Sequence, residues 1–260
     1  MSDILETIAA YARERVEKAK ETLPYEELYA RARALPVGHF PFEAVLRVPG
    51  MSYICECKKA SPSKGLIAPD FPYVEIARDY ERAGASCLSV LTEPKWFLGD
   101  DAYLREIAQA VSLPCLRKDF TIDPYMICQA KVLGASAVLL IVSLLDEGTL
   151  AQYMALAEEL GLSALVECHD ESEVRTALSA GARIIGVNNR NLRDFSVDAG
   201  NCLRLRSAIP EDVVFVAESG IKSHEDIVLL ENAHVNAVLI GESMMRSADK
   251  TAFLRALKGI

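Results

Sequence analysis

The sequence predicts an α/β chain: a single (β/α)8, or TIM, barrel over residues 1–260, with residues 1–48 forming an N-terminal helical extension packed on the barrel. Three observations carry this. From residue 52 onward, short apolar runs alternate with amphipathic stretches of helical period, the pattern of parallel strands joined by right-handed crossovers. The tripeptide G-A-S/R recurs at Gly84, Gly134 and Gly181, at spacings of 50 and 47 residues, about two β/α units each. A fourth turn, His234-Val235-Asn236, lacks the glycine, and four paired units make eight. Finally, no G-x-G-x-x-G follows the first strand, which disfavours an open doubly wound sheet.

In chain order, Ile4, Ile8, Ala12 and Val16 form a helical stripe, and Pro24, Pro36 and Pro41 punctuate the rest of an extension expected to cap the barrel mouth. The expected strands are Ser52–Cys57, Cys87–Leu91, Cys115–Lys118, Ala137–Val142, Ala164–Glu167, Arg183–Val187, Val213–Ala217 and Ala237–Ile240. Helical patterns lie between them at Tyr73–Ala83, Ala102–Val111, Pro124–Leu133, Glu147–Leu160, Glu171–Ala180, Asn201–Ile209 and Ser223–Ala233. Each repeat glycine follows a helical pattern and precedes a strand, as a helix C-terminal glycine should.

Composition sets bounds. Hydrophobic residues make up 51% and charged residues 25% of 260, as in an ordinary globular enzyme. A net charge of −9 argues against nucleic-acid binding, so an anionic ligand must be held by local donors. The charged N-terminus lacks a signal-peptide apolar core. The longest apolar run, Ala135–Leu145, is broken by serines and is too short to span a membrane. Seven cysteines, an odd number mostly in strand-like runs, read as free thiols of a cytoplasmic protein. A metal site built from Cys55, Cys57, Cys168 and His169 is disfavoured, because Cys168 and His169 are adjacent on one strand and no C-x-x-C is present.

Barrel active sites lie at the C-terminal ends of the strands, and chemistry collects there. Glu56 and Lys58, two apart, share one face of the first strand while Cys55 and Cys57 take the other. Lys118 ends the third strand, Glu167 the fifth, Asn188 and Arg190 follow the sixth, and Glu218 follows the seventh. Positions in phase with them are apolar or small until the last. Amines and carboxylates crowded into one mouth shift each other's pKa values, which suits general acid–base work. The loops after strands seven and eight, Glu218-Ser219-Gly220 and Gly241-Glu242-Ser243, suit a phosphate, and Ser61 in S-P-S-K-G is placed to close the same pocket. The pair Trp96-Phe97 after the second strand is a candidate surface for an aromatic substrate.

The segments E-C-K-K-A-S-P-S-K-G, L-T-E-P-K-W-F-L-G, R-K-D-F, V-L-L-I-V, L-V-E-C-H, G-V-N-N-R-N-L, A-E-S-G-I and L-I-G-E-S-M-M, in this order from about residue 40 to 246, resemble indole-3-glycerol-phosphate synthase. The resemblance implies that 1-(2-carboxyphenylamino)-1-deoxyribulose 5-phosphate closes to indole-3-glycerol phosphate with loss of carbon dioxide and water, in tryptophan biosynthesis. It implies Lys118 as general acid, Glu167 as general base, and Lys58 against the substrate carboxylate. Glu56, Asn188 and Glu218 would orient hydroxyls and lysines, and Arg190 would tie the mouth together. Ser61, Ser219, Gly220, Gly241 and Glu242 would hold phosphate, while Pro62, Phe97, Leu139 and Leu239 would border the ring. No metal or organic cofactor is expected. The expected partner is a small phosphorylated substrate, bound by a monomer at most loosely associated with other tryptophan-pathway enzymes.

Two positions depart from the family pattern. Glu242 stands where small hydroxyl residues are common, so its backbone N–H is expected to face the phosphate and its side chain to turn outward. Ala60 replaces a basic residue of some relatives. Two other readings remain at this stage: a Schiff-base aldolase using Lys118 or Lys58, and a sugar-phosphate-binding barrel without turnover.

Overall fold

Each predicted apolar run becomes a strand buried on both faces, as a parallel sheet covered by helices requires. The computed structural model describes residues 4–191 and 195–260. Residues 1–3 of the predicted extension, and the Leu192 that ends G-V-N-N-R-N-L, lie outside them. The strands are β1 (Ser52–Cys57), β2 (Cys87–Leu91), β3 (Cys115–Lys118), β4 (Ala137–Ile141), β5 (Ser163–Cys168), β6 (Ile184–Asn188), β7 (Val214–Glu218) and β8 (Ala237–Ile240). They pair in parallel in sequence order, and β8 closes back on β1. A short antiparallel hairpin pairs Ala60–Ser61 with Gly65–Leu66 at the mouth.

Strand boundaries move by a residue or so, and the helix expected over Asn201–Ile209 divides into Asn201–Leu205 and a 3-10 turn, Arg206–Ala208. Val142 leaves β4 for a 3-10 turn, Val142–Leu144, while β6 and β7 run one residue further than expected, through Asn188 and Glu218. Strand length here is set by neighbours: Asn188 pairs directly with Glu218, so the polar strand ends extend each other. Alternation then separates two cores. Ile54, Leu116, Leu139, Leu165, Val216 and Leu239 fill the barrel, whereas Cys55, Leu88, Val138, Val166, Phe215 and Val238 face the helices.

The surrounding helices are α4 (Tyr73–Ala83), α5 (Asp101–Ala110), α6 (Pro124–Val132), α7 (Glu147–Glu159), α8 (Glu171–Ser179), α9 (Asn201–Leu205), α10 (His224–Asn232), α11 (Glu242–Arg246) and α12 (Lys250–Lys258). Asp100, Asp123, Asp146, Asp170 and Ser223 cap their N-termini through side-chain oxygens. The repeat glycines have φ of +86°, +89° and +89°, so each turns the chain from helix to strand. At the fourth repeat His234 adopts φ +55°, doing the same job at a cost of about 1 kcal/mol.

The extension forms α1 (Ile4–Thr22), α2 (Tyr25–Ala34) and α3 (Pro41–Leu46), and it closes both ends of the barrel. α1 buries Leu5, Ile8, Ala12 and Val16, and Leu5 and Ile8 reach over the mouth. α3 sits at the opposite end: Phe42 and Leu46 join the barrel interior, the Glu43 N–H donates to Ser163 Oγ (3.3 Å), and Arg183 pairs with Glu43 (3.1 Å). The expected cap over the mouth is therefore α1 alone; the rest of the extension packs on the wall and plugs the floor. Among the described residues no helix is long and apolar enough to cross a membrane.

Candidate active site

Strand register sets the chemistry on one level. Glu56 lies beside Ser89, Lys118 beside Leu91, Glu167 beside Ile141, and Asn188 and Leu239 beside Glu218. Their inward side chains open into a cavity of about 670 Å³ at the C-terminal mouth. Of the sequence-predicted site residues, Glu56, Lys58, Ser61, Pro62, Phe97, Lys118, Leu139, Glu167, Asn188, Arg190, Glu218, Ser219, Gly220, Leu239, Gly241, Glu242 and Ser243 line it, and Trp96 does not.

Lys118 Nζ lies at the centre, donating to Glu167 Oε2 at 2.9 Å and standing 3.5 Å from Glu218 Oε2. Lys58 Nζ pairs with Glu56 Oε1 at 2.7 Å, and Ser89 Oγ donates to Glu56 Oε2 at 3.1 Å. Asn188 Nδ2 donates to Glu167 Oε1 at 3.3 Å, and Asn188 Oδ1 accepts the Arg190 backbone N–H at 3.0 Å.

These neighbours separate the two acids. Burial alone would raise both. For Glu167 the Lys118 ammonium and His169 outweigh it and hold the carboxylate well below its usual range. For Glu218 burial wins over Lys118, and the Glu167 and Glu56 carboxylates push it further up. Burial would lower Lys118, but Glu167, Glu218 and Glu56 outweigh that and raise it. The mouth thus holds a strong ammonium, an ionised carboxylate and a carboxyl that prefers its proton. Glu218 Oε1 has no hydrogen-bond partner among the described residues, although it is buried.

Two glycines make room for this cluster. A Cβ on Gly186 of β6 would collide with Glu218 Oε1, and one on Gly241 would stand 2.6 Å from Glu56 Oε1 and 2.7 Å from Lys58 Nζ. Gly186→Ala is therefore expected to push Glu218 off Lys118, lowering kcat at least tenfold and stability by about 1–3 kcal/mol. Steady-state kinetics with thermal unfolding checks this; an unchanged kcat would contradict it.

At the phosphate-suited end, Ser219 takes φ +67° and Gly220 φ +85°, an uncommon conformation for serine of the kind kept at functional turns. The Glu242 side chain turns back along α11 to Arg246 (3.1 Å) and across to Lys64 (3.8 Å), so its charge is matched within the protein. Lys64 of S-P-S-K-G lines the cavity as that anion-suited turn predicts, whereas Lys222 and Arg246 also line it and were not expected. For Lys222 the I-K-S triplet after Gly220 was the available signal, and it is weak.

The opposite wall is apolar: Phe97 and Phe120, with centroids 6.0 Å apart, meet Leu139, Ile141 and Leu239 under Leu5 and Ile8. The Trp96-Phe97 pair is divided. Phe97 faces the cavity, whereas Trp96 packs edge-on against Tyr11 of α1 at 5.6 Å and does not line it. The cause is buried Glu93, which accepts the backbone N–H groups of Lys95, Trp96 and Phe97 at 2.7–2.9 Å and bends the loop so the two rings diverge. All seven cysteines are free and buried. Among the described residues no group of three or more His, Cys, Asp or Glu is placed to hold a metal ion.

A family model described as indole-3-glycerol phosphate synthase matches residues 5–257. The chain belongs to the indole-3-glycerol phosphate synthase family. It is 52% identical over 257 residues to the indole-3-glycerol phosphate synthase of Ruminiclostridium cellulolyticum, covering 98% of this chain and 99% of that one. It is 49% identical over 256 residues to that of Lacticaseibacillus casei, covering 98% of each. Among solved structures, a 3-hexulose-6-phosphate synthase from Salmonella typhimurium superposes with TM-score 0.66 at 15% identity, over 80% of this chain and 97% of that one. That likeness bears on the fold alone. As a family member the chain is a carboxy-lyase of tryptophan biosynthesis.

Proposed function

We propose that this member of the indole-3-glycerol phosphate synthase family closes its ring with Lys118 as general acid and Glu167 as general base. One observation carries the reading: the Lys118 ammonium sits between an ionised Glu167 and a proton-holding Glu218, above an apolar wall. The substrate's aromatic ring lies along Phe97, Leu139 and Leu239, and its carboxylate meets Lys58. Its phosphate takes the Ser61, Ser219–Gly220 and Gly241–Glu242 loops, with Lys64, Lys222 and Arg246 nearby.

Lys118 gives its proton to the ketose oxygen as the ring carbon attacks, and the departing carbon dioxide leaves its electron pair to restore the aromatic ring. The new hydroxyl takes a second proton, from Lys58, and departs as water, while Glu167 takes the carbon-bound proton whose loss completes the indole. Fixed charges aimed at these positions stabilise the charge that develops there. The raised pKa of Lys118 opposes the Schiff-base reading, because a nucleophilic lysine needs a lowered one.

The test is turnover of 1-(2-carboxyphenylamino)-1-deoxyribulose 5-phosphate, read by indole fluorescence. Glu167→Gln is expected to lose about 10³-fold in kcat, within the usual range for a general base, while still binding substrate. Retained turnover in Glu167→Gln, or a borohydride-stable adduct on Lys118, would overturn the assignment.

A further inference from the structure

We propose that His169, anchored by Glu173, is a positioning residue for Glu167: its imidazole holds Oε1 of the base and leaves Oε2 to face Lys118 and the substrate. The inference rests on the assignment of Glu167 as the base. His169 follows the end of β5, just before Asp170 caps α8. Three contacts fix it. Its backbone N–H donates to Glu173 Oε2 at 2.7 Å, its Nδ1 meets the same oxygen at 3.0 Å, and its carbonyl accepts from Asn201 Nδ2 at 3.0 Å. So held, Nε2 stands 3.4 Å from Glu167 Oε1, an ion-pair contact, and, though buried, has no hydrogen-bond partner among the described residues.

Glu167 is thereby gripped from two sides on one oxygen, by His169 and by Asn188 Nδ2. The other oxygen belongs to Lys118. A second, polar cavity of about 610 Å³ lies on the far side of the imidazole. The ionisable groups lining it are Glu6 of α1, Asp170 and Glu173 at α8, and Arg190, Asp198 and Arg204 between β6 and α9. Arg204 is already matched by Asp198 at 2.8 Å. Burial would lower the imidazole's pKa, but Glu167 and Glu173 outweigh it and bring it up to about 10, so it is a cation at neutral pH. A cation anchored on one carboxylate through Nδ1 and standing beside the base with Nε2 helps that base stay ionised in a buried site.

The sign follows. Without the imidazolium, Glu167 takes a proton more readily, so the acidic limb of the kcat–pH profile moves to higher pH. In His169→Gln, which keeps a neutral donor and loses the charge, that limb is expected about one unit higher. Turnover then falls about tenfold on the acid side, recovers at alkaline pH, and leaves KM within roughly twofold. Glu173→Gln, which keeps the imidazole but removes its anchor, should show the same shift at smaller size. It carries the test alone if His169→Gln fails to fold. A limb unmoved in the folded variants, or a kcat lowered equally at every pH, would overturn the proposal. Glu167→Gln run in parallel separates the two claims: retained turnover there refutes the base itself, not its positioning.

Discussion

Lys118→Ala is expected to lower kcat by about 10³-fold, within the usual range for loss of a positioned general acid, with a smaller change in KM. The phosphate loops and the apolar wall bind substrate without this residue, so the loss falls on the chemical step. The same substitution carries a stability signature. Lys118 separates Glu167 and Glu218, both buried. Removing it leaves two carboxyls facing each other, and each favours its proton more in the folded chain than unfolded. A carboxyl whose folded pKa is raised contributes stability that is lost as pH rises, so the variant's Tm should fall more steeply than the parent's between pH 5 and pH 8. Thermal unfolding across that range, beside stopped and continuous indole-fluorescence assays, reads both effects. A Tm difference independent of pH would show that Lys118 does not hold the two acids apart.

Asp119→Ala should have the largest effect on stability, about 3–5 kcal/mol, because it takes the counter-charge from half-buried Arg15 and one of the two carboxylates facing buried Arg117. Asp119 follows Lys118 and is buried. It accepts from Arg15 of α1 at 2.7 and 3.2 Å, from Thr92 Oγ1 at 2.6 Å, and stands 3.8 Å from Arg117. Arg117, 2% exposed, faces the helix layer and donates to Thr92, the Met126 carbonyl and Asp101. Burial would raise the Asp119 carboxyl, but Arg15 and Arg117 outweigh it and hold it below the ordinary range. This stabilisation is present above the unfolded carboxylate pKa and is lost as pH falls through the folded one. The pair also ties α1, which roofs the mouth, to the strand that carries Lys118. Asp119→Asn, which keeps shape and some hydrogen bonds, should lose less. Denaturant unfolding of both variants is the measurement: equal loss in the two would show that the charge alone carries the effect, and an unchanged stability in Asp119→Asn would show that charge is not what matters there.

Much of the barrel was legible because its signals are local. Short apolar runs marked strands within a residue or so, and the repeat glycines marked turns that need a left-handed residue. His234 was harder, since it fills the same backbone role without being glycine. The polar strand ends from Glu56 to Glu218 stood out because each breaks an apolar phase. Trp96 misled because neighbouring residues were read as one surface, while buried Glu93 bends the loop between their directions. His169 was weighed only as a metal ligand beside Cys168. Its partner Glu173 lies in the first turn of α8, four residues on, at a spacing that looks like an ordinary surface pair.

By itself, the sequence determined which residues alternate, where each strand ends in a charge, and hence that the ends meet in one mouth if the sheet closes. Tertiary structure alone decided the rest: that the extension divides, with only α1 on the mouth and α3 plugging the floor, that Gly186 and Gly241 are gaps kept for carboxylates, and that Arg15 meets Asp119 across 104 residues of chain. Periodicity reports the environment of a face. Which group lies opposite that face depends on register, barrel closure and the path of the extension, and no local pattern encodes those.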